Sequence, residues 1–308
     1  MKRLVIDTDP GVDDAHAILM ALAHPEAQVE AITTVAGNAS LNRTTANALT
    51  ILDVAEKDVP VYRGCGRAIL AEGTDASHVH GDDGLGNINA PPSHRETEDE
   101  HAVQALIRLA NEAPGELTLV TLGPLTNLAM AVRLDPSITG KYKQLVVMGG
   151  AVRSTGNTER FSTEFNLSID PEAGAIVFNS WNNFKLVSWE ATLAYPFDSA
   201  LVAGLGKHNT PRSAFFLRIS QNTLRFNREN FGKDALFTAD SLAMAVALEP
   251  DIVTASERRF VQVETQGDQV RGQTSVDWSG ISRREPNAEI VLELKQERVW
   301  ELLEASVK

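Results

Sequence analysis

Cysteine is all but missing from this chain. One residue of 308, Cys65, carries a thiol, which excludes an intrachain disulfide and any cysteine-based zinc cluster and suits a reducing compartment. Positive charge is also scarce: 28 Lys and Arg stand against 41 Asp and Glu, a net charge of −13. No Lys/Arg-rich block offers a local exception, so polymeric nucleic acid and anionic membrane surfaces are poor partners. Long apolar runs are missing too. No stretch approaches transmembrane length, and the opening MKRLVIDTD turns acidic before a signal-peptide core can form. The expected location is the cytoplasm. Neither G-x-G-x-x-G after a strand nor G-x-x-x-x-G-K-[ST] occurs, which disfavours dinucleotide and ATP binding.

What is present fits a folded α/β protein. The chain is 43% hydrophobic and 22% charged, enough to bury a full core, and residues 1–308 are expected to form one domain. Apolar runs of strand length at 4–6, 29–35, 117–122, 145–148 and 185–188 alternate with helix-period segments beginning at 13, 41, 101 and after Pro124. Such alternation predicts a single open, mostly parallel sheet with helices on both faces. Residues 63–99 lack a period and are rich in Gly, Asp, Pro and His, a long loop of the kind that often carries function. Residues 257–294 read as shorter strands and 296–305 as a closing helix.

Ligands of such sheets bind beyond the carboxyl ends of the strands, so polar residues there matter most. Asp7-Thr8-Asp9-Pro10-Gly11-Val12-Asp13-Asp14 places four carboxylates across a strand end, a turn and the first turn of a helix. Helix capping explains one or two of them. Four need a cation, and oxygen ligands in this number point to Ca2+ over Mg2+ or zinc. Met148-Gly149-Gly150 ends another strand, and Asn157, Glu164 and Asn166 follow in a polar stretch suited to a polyhydroxylated ligand. Asp240 opens a later apolar helix, where by itself it reads as a cap.

Together DTDPGVDDAHAI, ITTVAGN, HGDDGLG, VTLGPLTNLA, VVMGGAV, EFNLSIDPEA and TADSLAMA resemble the inosine-uridine-preferring nucleoside hydrolase family, in order and over nearly the whole chain. The resemblance implies a Rossmann-like nucleoside hydrolase fold, a small-molecule ribonucleoside substrate and a homodimer or homotetramer. It implies Asp9 as Ca2+ ligand and general base, with Asp14, the Leu122 carbonyl and Asp240 as further metal ligands. Asp13, Asn38, Met148, Asn157, Glu164 and Asn166 would hold ribose, and Asp7 would support the metal ligands from behind. One departure stands out. Many members carry a histidine, proposed to protonate the leaving base, where this chain has Ala239; His80, in HGDDGLG, is the candidate replacement. Trp189 and Glu190 are candidates for the pocket mouth, whereas Phe215, Phe216, Ile219, Leu224, Phe226 and Phe231 read as a plain amphipathic core helix. Two other readings compete: a catalytically silent ribonucleoside-binding member, on the strength of Ala239, and a haloacid dehalogenase-like phosphatase, which Asp7-x-Asp9 also resembles.

Overall fold

The computed structural model describes residues 1–70 and 75–308. Its first half runs β1 (Lys2–Thr8), α1 (Val12–Ala23), β2 (Ala27–Thr34), α2 (Leu41–Ala55), β3 (Val61–Arg63), α3 (Ser77–His80), α4 (Ala102–Glu112), β4 (Leu117–Thr121), α5 (Thr126–Leu134), β5 (Gln144–Met148), α6 (Phe165–Ile169) and α7 (Pro171–Ser180). The second half continues with β6 (Phe184–Val187), α8 (Trp189–Ala194), β7 (Phe197–Asp198), α9 (Ser199–Ala203), α10 (Pro211–Phe231), β8 (Ala235–Leu236), α11 (Ala239–Leu248), β9 (Val253–Arg259), β10 (Val261–Val263), β11 (Thr274–Val276), β12 (Ala288–Leu294) and α12 (Gln296–Ser306).

Eight strands form one sheet in the order β3-β2-β1-β4-β5-β6-β12-β9, parallel except for β9, which runs antiparallel to β12. β12 is thus a full member of the main sheet, paired with β6 through Ala288, Glu289 and Ile290, rather than one of a group of short peripheral strands. Side chains alternate between two buried layers as the pleat requires. Leu4, Ile6, Val146 and Met148 face the layer of α1, α2, α11 and α12, and Val5, Leu145 and Val147 face that of α4, α5 and α7. Parallel strands buried on both faces explain why these segments read as continuous apolar runs.

The strand order reverses between β1 and β4, so the chain leaves these neighbours in opposite directions and opens a crevice at their carboxyl ends. The Asp-rich turn after β1 and the Leu122-Gly123-Pro124 turn after β4 meet there. Asn127 of α5 locks the junction: its amide donates to Asp7 Oδ1 at 2.8 Å and to the Thr34 carbonyl at 3.0 Å, and its Oδ1 accepts the Cys65 N–H at 2.8 Å. The long segment after β3 is pinned to the same crevice, because Asn47 Nδ2 donates to both the Pro10 and Asp83 carbonyls. Asp83 itself accepts the N–H groups of Leu85, Asn87 and Asn89, which orders a loop without periodic structure. Among the described residues, no helix is long and apolar enough to cross a membrane.

Candidate active site

A cavity of about 670 Å3 opens at the β1/β4 crevice. Ten of the site candidates singled out in the sequence line it: Asp13, Asn38, His80, Leu122, Met148, Asn157, Glu164, Asn166, Trp189 and Asp240. Asp9 and Asp14 lie fully buried behind its floor.

The acids divide by partner. Asp7 turns away from the cavity to Thr33 and Asn127, and burial pushes its carboxyl up to about 6. It therefore leaves the expected group of four. Asp14 accepts from the Thr8 hydroxyl, the Gly11 N–H at 2.9 Å and the Asn38 amide at 3.0 Å. Asp13, Asp14 and Asp240 each bring an oxygen within 4.8 Å of the others. Asp13 thus joins the acidic cluster as well as the cavity wall, while Asp9 Oδ2 is drawn aside by the Asn38 N–H at 2.6 Å. Asp9 Oδ1 is left buried with no hydrogen-bond partner.

Burial, reinforced by mutual repulsion, raises Asp9 and Asp240 well above the usual carboxylate range and raises Asp14; burial alone takes Asp13 to about 6. Among the described residues, the one basic group within 4.0 Å of any of these four is His80, 3.9 Å from Asp13. Burial holds the His80 ring down to about 4, so it is neutral near pH 7 and no counter-ion. An uncompensated acidic cluster with an orphaned buried oxygen is the donor set a hard divalent cation fits.

Two glycines shape the cluster. A Cβ at Gly37 or Gly123 would overlap the Asp9 carboxylate, so the chain just beyond β2 and β4 must be bare at these positions for Asp9 to sit between them. Both lie in segments already notable in the sequence, but only the register of β1 against β2 and β4 shows what they touch.

The polar stretch after β5 forms the opposite wall. Glu164 caps α6, accepting from Asn166 N, Gly150 N and Leu167 N, while burial lifts its carboxyl to about 7. Asn166 donates to the Leu122 carbonyl at 2.8 Å and Asn157 accepts from Phe165 N at 2.9 Å. One cation, Arg160, also lines the cavity, but its guanidinium donates to the Asp268 carbonyl and the Ser168 hydroxyl, and a wall made otherwise of amides and acids suits hydroxyl groups better than phosphate.

The far end of the cavity is aromatic and, apart from Trp189, was not legible as a site. Phe215, Phe216 and Ile219 of α10 pack in the core as expected, but its last turns carry Thr223, Phe226, Asn227 and Phe231 into the cavity wall beside Phe237 and Trp189. The helix outruns the layer it packs on. Ala239 is buried in this wall and Asp240 is the second residue of α11, not its cap, which is Thr238. Glu190 does not reach the mouth; it accepts the N–H groups of Val152, Arg153 and Thr155 and so anchors a loop.

Comparison with known proteins decides the class. The family described as inosine-uridine preferring nucleoside hydrolase matches residues 4–301. The chain belongs to this family. It is a hydrolase of the N-glycosyl bonds of ribonucleosides. An inosine-uridine preferring nucleoside hydrolase of Leishmania major is 38% identical to it, over 97% of this chain and 95% of the relative. A pyrimidine-specific ribonucleoside hydrolase, RihB, of Escherichia coli O157:H7 is 33% identical, over 100% and 97%. The solved structure of a plant nucleoside hydrolase superposes with a TM-score of 0.92 at 34% identity, covering 99% of this nucleoside hydrolase and 98% of that chain.

Proposed function

We propose that the enzyme hydrolyses ribonucleosides to ribose and free base with Asp9 as general base and Ca2+ as cofactor. The observation that carries the reading is the buried, unpartnered Asp9 Oδ1 behind a cavity floor where Asp13, Asp14 and Asp240 bring oxygens within 4.8 Å of one another and repel the Asp9 carboxylate. Asp9, Asp14, Asp240 and the Leu122 carbonyl would hold the cation, with Asp13 close enough to join them. When bound, it would neutralise the cluster and acidify a water.

Asp9 Oδ1 takes the proton of the attacking water, a step typically worth about 10²–10⁴ in rate. Asp13, Asn38, Asn157, Glu164 and Asn166, with the Met148 side chain at their base, hold the ribose hydroxyls and orient C1′. Positive charge develops on the sugar as the glycosidic bond breaks, as in other glycoside hydrolysis, and the surrounding carboxylates stabilise it. The aromatic end formed by Phe226, Phe231, Phe237 and Trp189 receives the base. Ala239 offers no proton there, so turnover depends on how well the base leaves.

A hydrolysis screen of purine and pyrimidine ribonucleosides with their 2′-deoxy counterparts, run with and without chelator and joined to metal analysis of the protein, tests this reading. Ribose release that needs the 2′-hydroxyl, ceases in chelator and returns with Ca2+ is expected. Full activity in chelator would remove the metal from the reading.

A further inference from the structure

Asn157 reaches the cavity from an exposed position in residues 149–164, a stretch with no helix or strand. Its Oδ1 accepts the Phe165 N–H at 2.9 Å, and its Nδ2 has no hydrogen-bond partner among the described residues. The amide is therefore turned with both its hydrogens free for a ligand. Where they stand depends on the backbone beneath them, and an exposed segment without a hydrogen-bond ladder is a soft support.

The second leg of this stretch closes on itself and runs into α6. Gly156 N donates to the Phe161 carbonyl at 2.6 Å and Asn157 N to the Thr163 carbonyl at 3.1 Å. The first leg, residues 151–155, is tied to the body of the protein instead. Both oxygens of Glu190 are engaged there: Oε2 accepts the Val152 N–H at 2.9 Å, and Oε1 accepts those of Arg153 at 2.7 Å and Thr155 at 3.2 Å. Bonds to a charged acceptor are the strong ones. Two further pegs support the same leg, since Trp278 Nε1 donates to the Val152 carbonyl at 3.1 Å and Trp189 N to the Gly150 carbonyl at 2.9 Å. Glu190 lies in the first turn of α8, three residues after β6, and β6 pairs with β5 inside the sheet. The carboxylate thus refers an irregular turn to the rigid core.

We propose that Glu190 is a positioning residue for the hydrolysis: it fixes the turn at 152–155 and through it the place where Asn157 Nδ2 meets the sugar. The inference rests on the ribonucleoside hydrolase reading above, in which Asn157 binds ribose. Glu190 does not line the cavity, so its effect on turnover passes through this loop. A neutral amide cannot stand in for the carboxylate. In Glu190→Gln one oxygen remains, while the Nε2 hydrogens face a backbone N–H that has lost its acceptor.

A double-mutant cycle tests this. A misplacement of about 1 Å can cost about 10²-fold, so Glu190→Gln is expected to fold, keep its metal and lose about 10- to 100-fold in kcat/KM for uridine and inosine. Asn157→Ala should lose a similar factor. In the double variant the losses should not multiply, and kcat/KM should stay within about 2-fold of the poorer single variant. Trp278→Phe, which removes only the bond to the Val152 carbonyl, should show a smaller loss that vanishes when Asn157 is already alanine. Amide hydrogen exchange at Val152, Arg153 and Thr155 should quicken in Glu190→Gln while that of β5 does not. Wild-type kcat/KM in Glu190→Gln, or losses that multiply in the double variant, would overturn the proposal. Should Glu190→Gln fail to fold, the pair of Trp278→Phe and Asn157→Ala decides by the same criterion. A wild type that cleaves no ribonucleoside would instead overturn the functional reading, and hydrogen exchange would still report whether Glu190 holds the turn.

Discussion

Asp9 has one oxygen held by a backbone N–H and one held by nothing, and that asymmetry makes it the base in the proposed reaction. Asp9→Asn keeps the shape and the Asn38 contact, so the protein should fold and bind nucleoside while kcat falls by about 10² or more. Turnover near wild type in a folded, metal-loaded variant would take the role away from Asp9. Gly123 gives a second test. A single methyl group at this position must displace Asp9 Oδ1, and its backbone does not have the positive φ that only glycine favours. Gly123→Ala is therefore expected to remain folded and lose activity to a similar extent as Asp9→Asn, and an active Gly123→Ala would show that Asp9 tolerates movement. At this scale the sequence was informative about chemistry and silent about contact. The acids and amides were visible because few other roles explain them together, and six of them, Asp13, Asn38, Asn157, Glu164, Asn166 and Asp240, line the cavity. That Asp13 would approach Asp240, or that Asp7 would turn to Asn127, depends on strand register and helix docking that no local pattern encodes.

Elements with a repeating pattern were legible and elements with a divided role were not. The α2 helix occupies the predicted residues 41–55, and the strands differ from expectation by a residue or two at their ends, as fraying termini do. α10 was misjudged because its core face and its cavity face carry the same residue type. Phe216 packs on His16 with ring centroids 3.8 Å apart, whereas Phe226 meets His78 at the cavity. Phe226→Ala should accordingly leave the fold intact and raise KM for ordinary nucleosides by roughly 2- to 12-fold, the worth of about 0.5–1.5 kcal/mol of aromatic contact; an unchanged KM would place the base elsewhere. Asn127 works at the same scale, since one amide side chain joins the ends of β1 and β2 to the loop after β3. Asn127→Ala strands buried groups on three segments and should cost roughly 2–4 kcal/mol of stability, read from denaturant unfolding.

For the molecule as a whole, the buried acids at and behind the crevice set how stability responds to pH and to metal. Burial raises Asp7 and Asp13 to about 6, so each contributes stability that is present below the unfolded pKa near 4 and lost as pH rises through about 6. The opposite case, Glu249 held down to about 2 by Arg298, loses its contribution only in stronger acid. Metal-free protein should therefore melt at a higher temperature near pH 5.5 than near pH 7.5, and added Ca2+ should raise the melting temperature more at the higher pH. The reverse order would mean that these acids are not what limits stability near neutrality. A different constraint arises from β12, which inserts between β6 and β9 about a hundred residues after β6 has been made. During synthesis at about 5–20 residues per second, the edge of β6 stands open for roughly 5–20 s, and β9 emerges with no strand to join. The nascent chain thus carries an unpaired, apolar sheet edge until nearly all of it has left the ribosome. A chain released before residue 288 should aggregate or stay bound to chaperones even though every residue of the active site has already been translated.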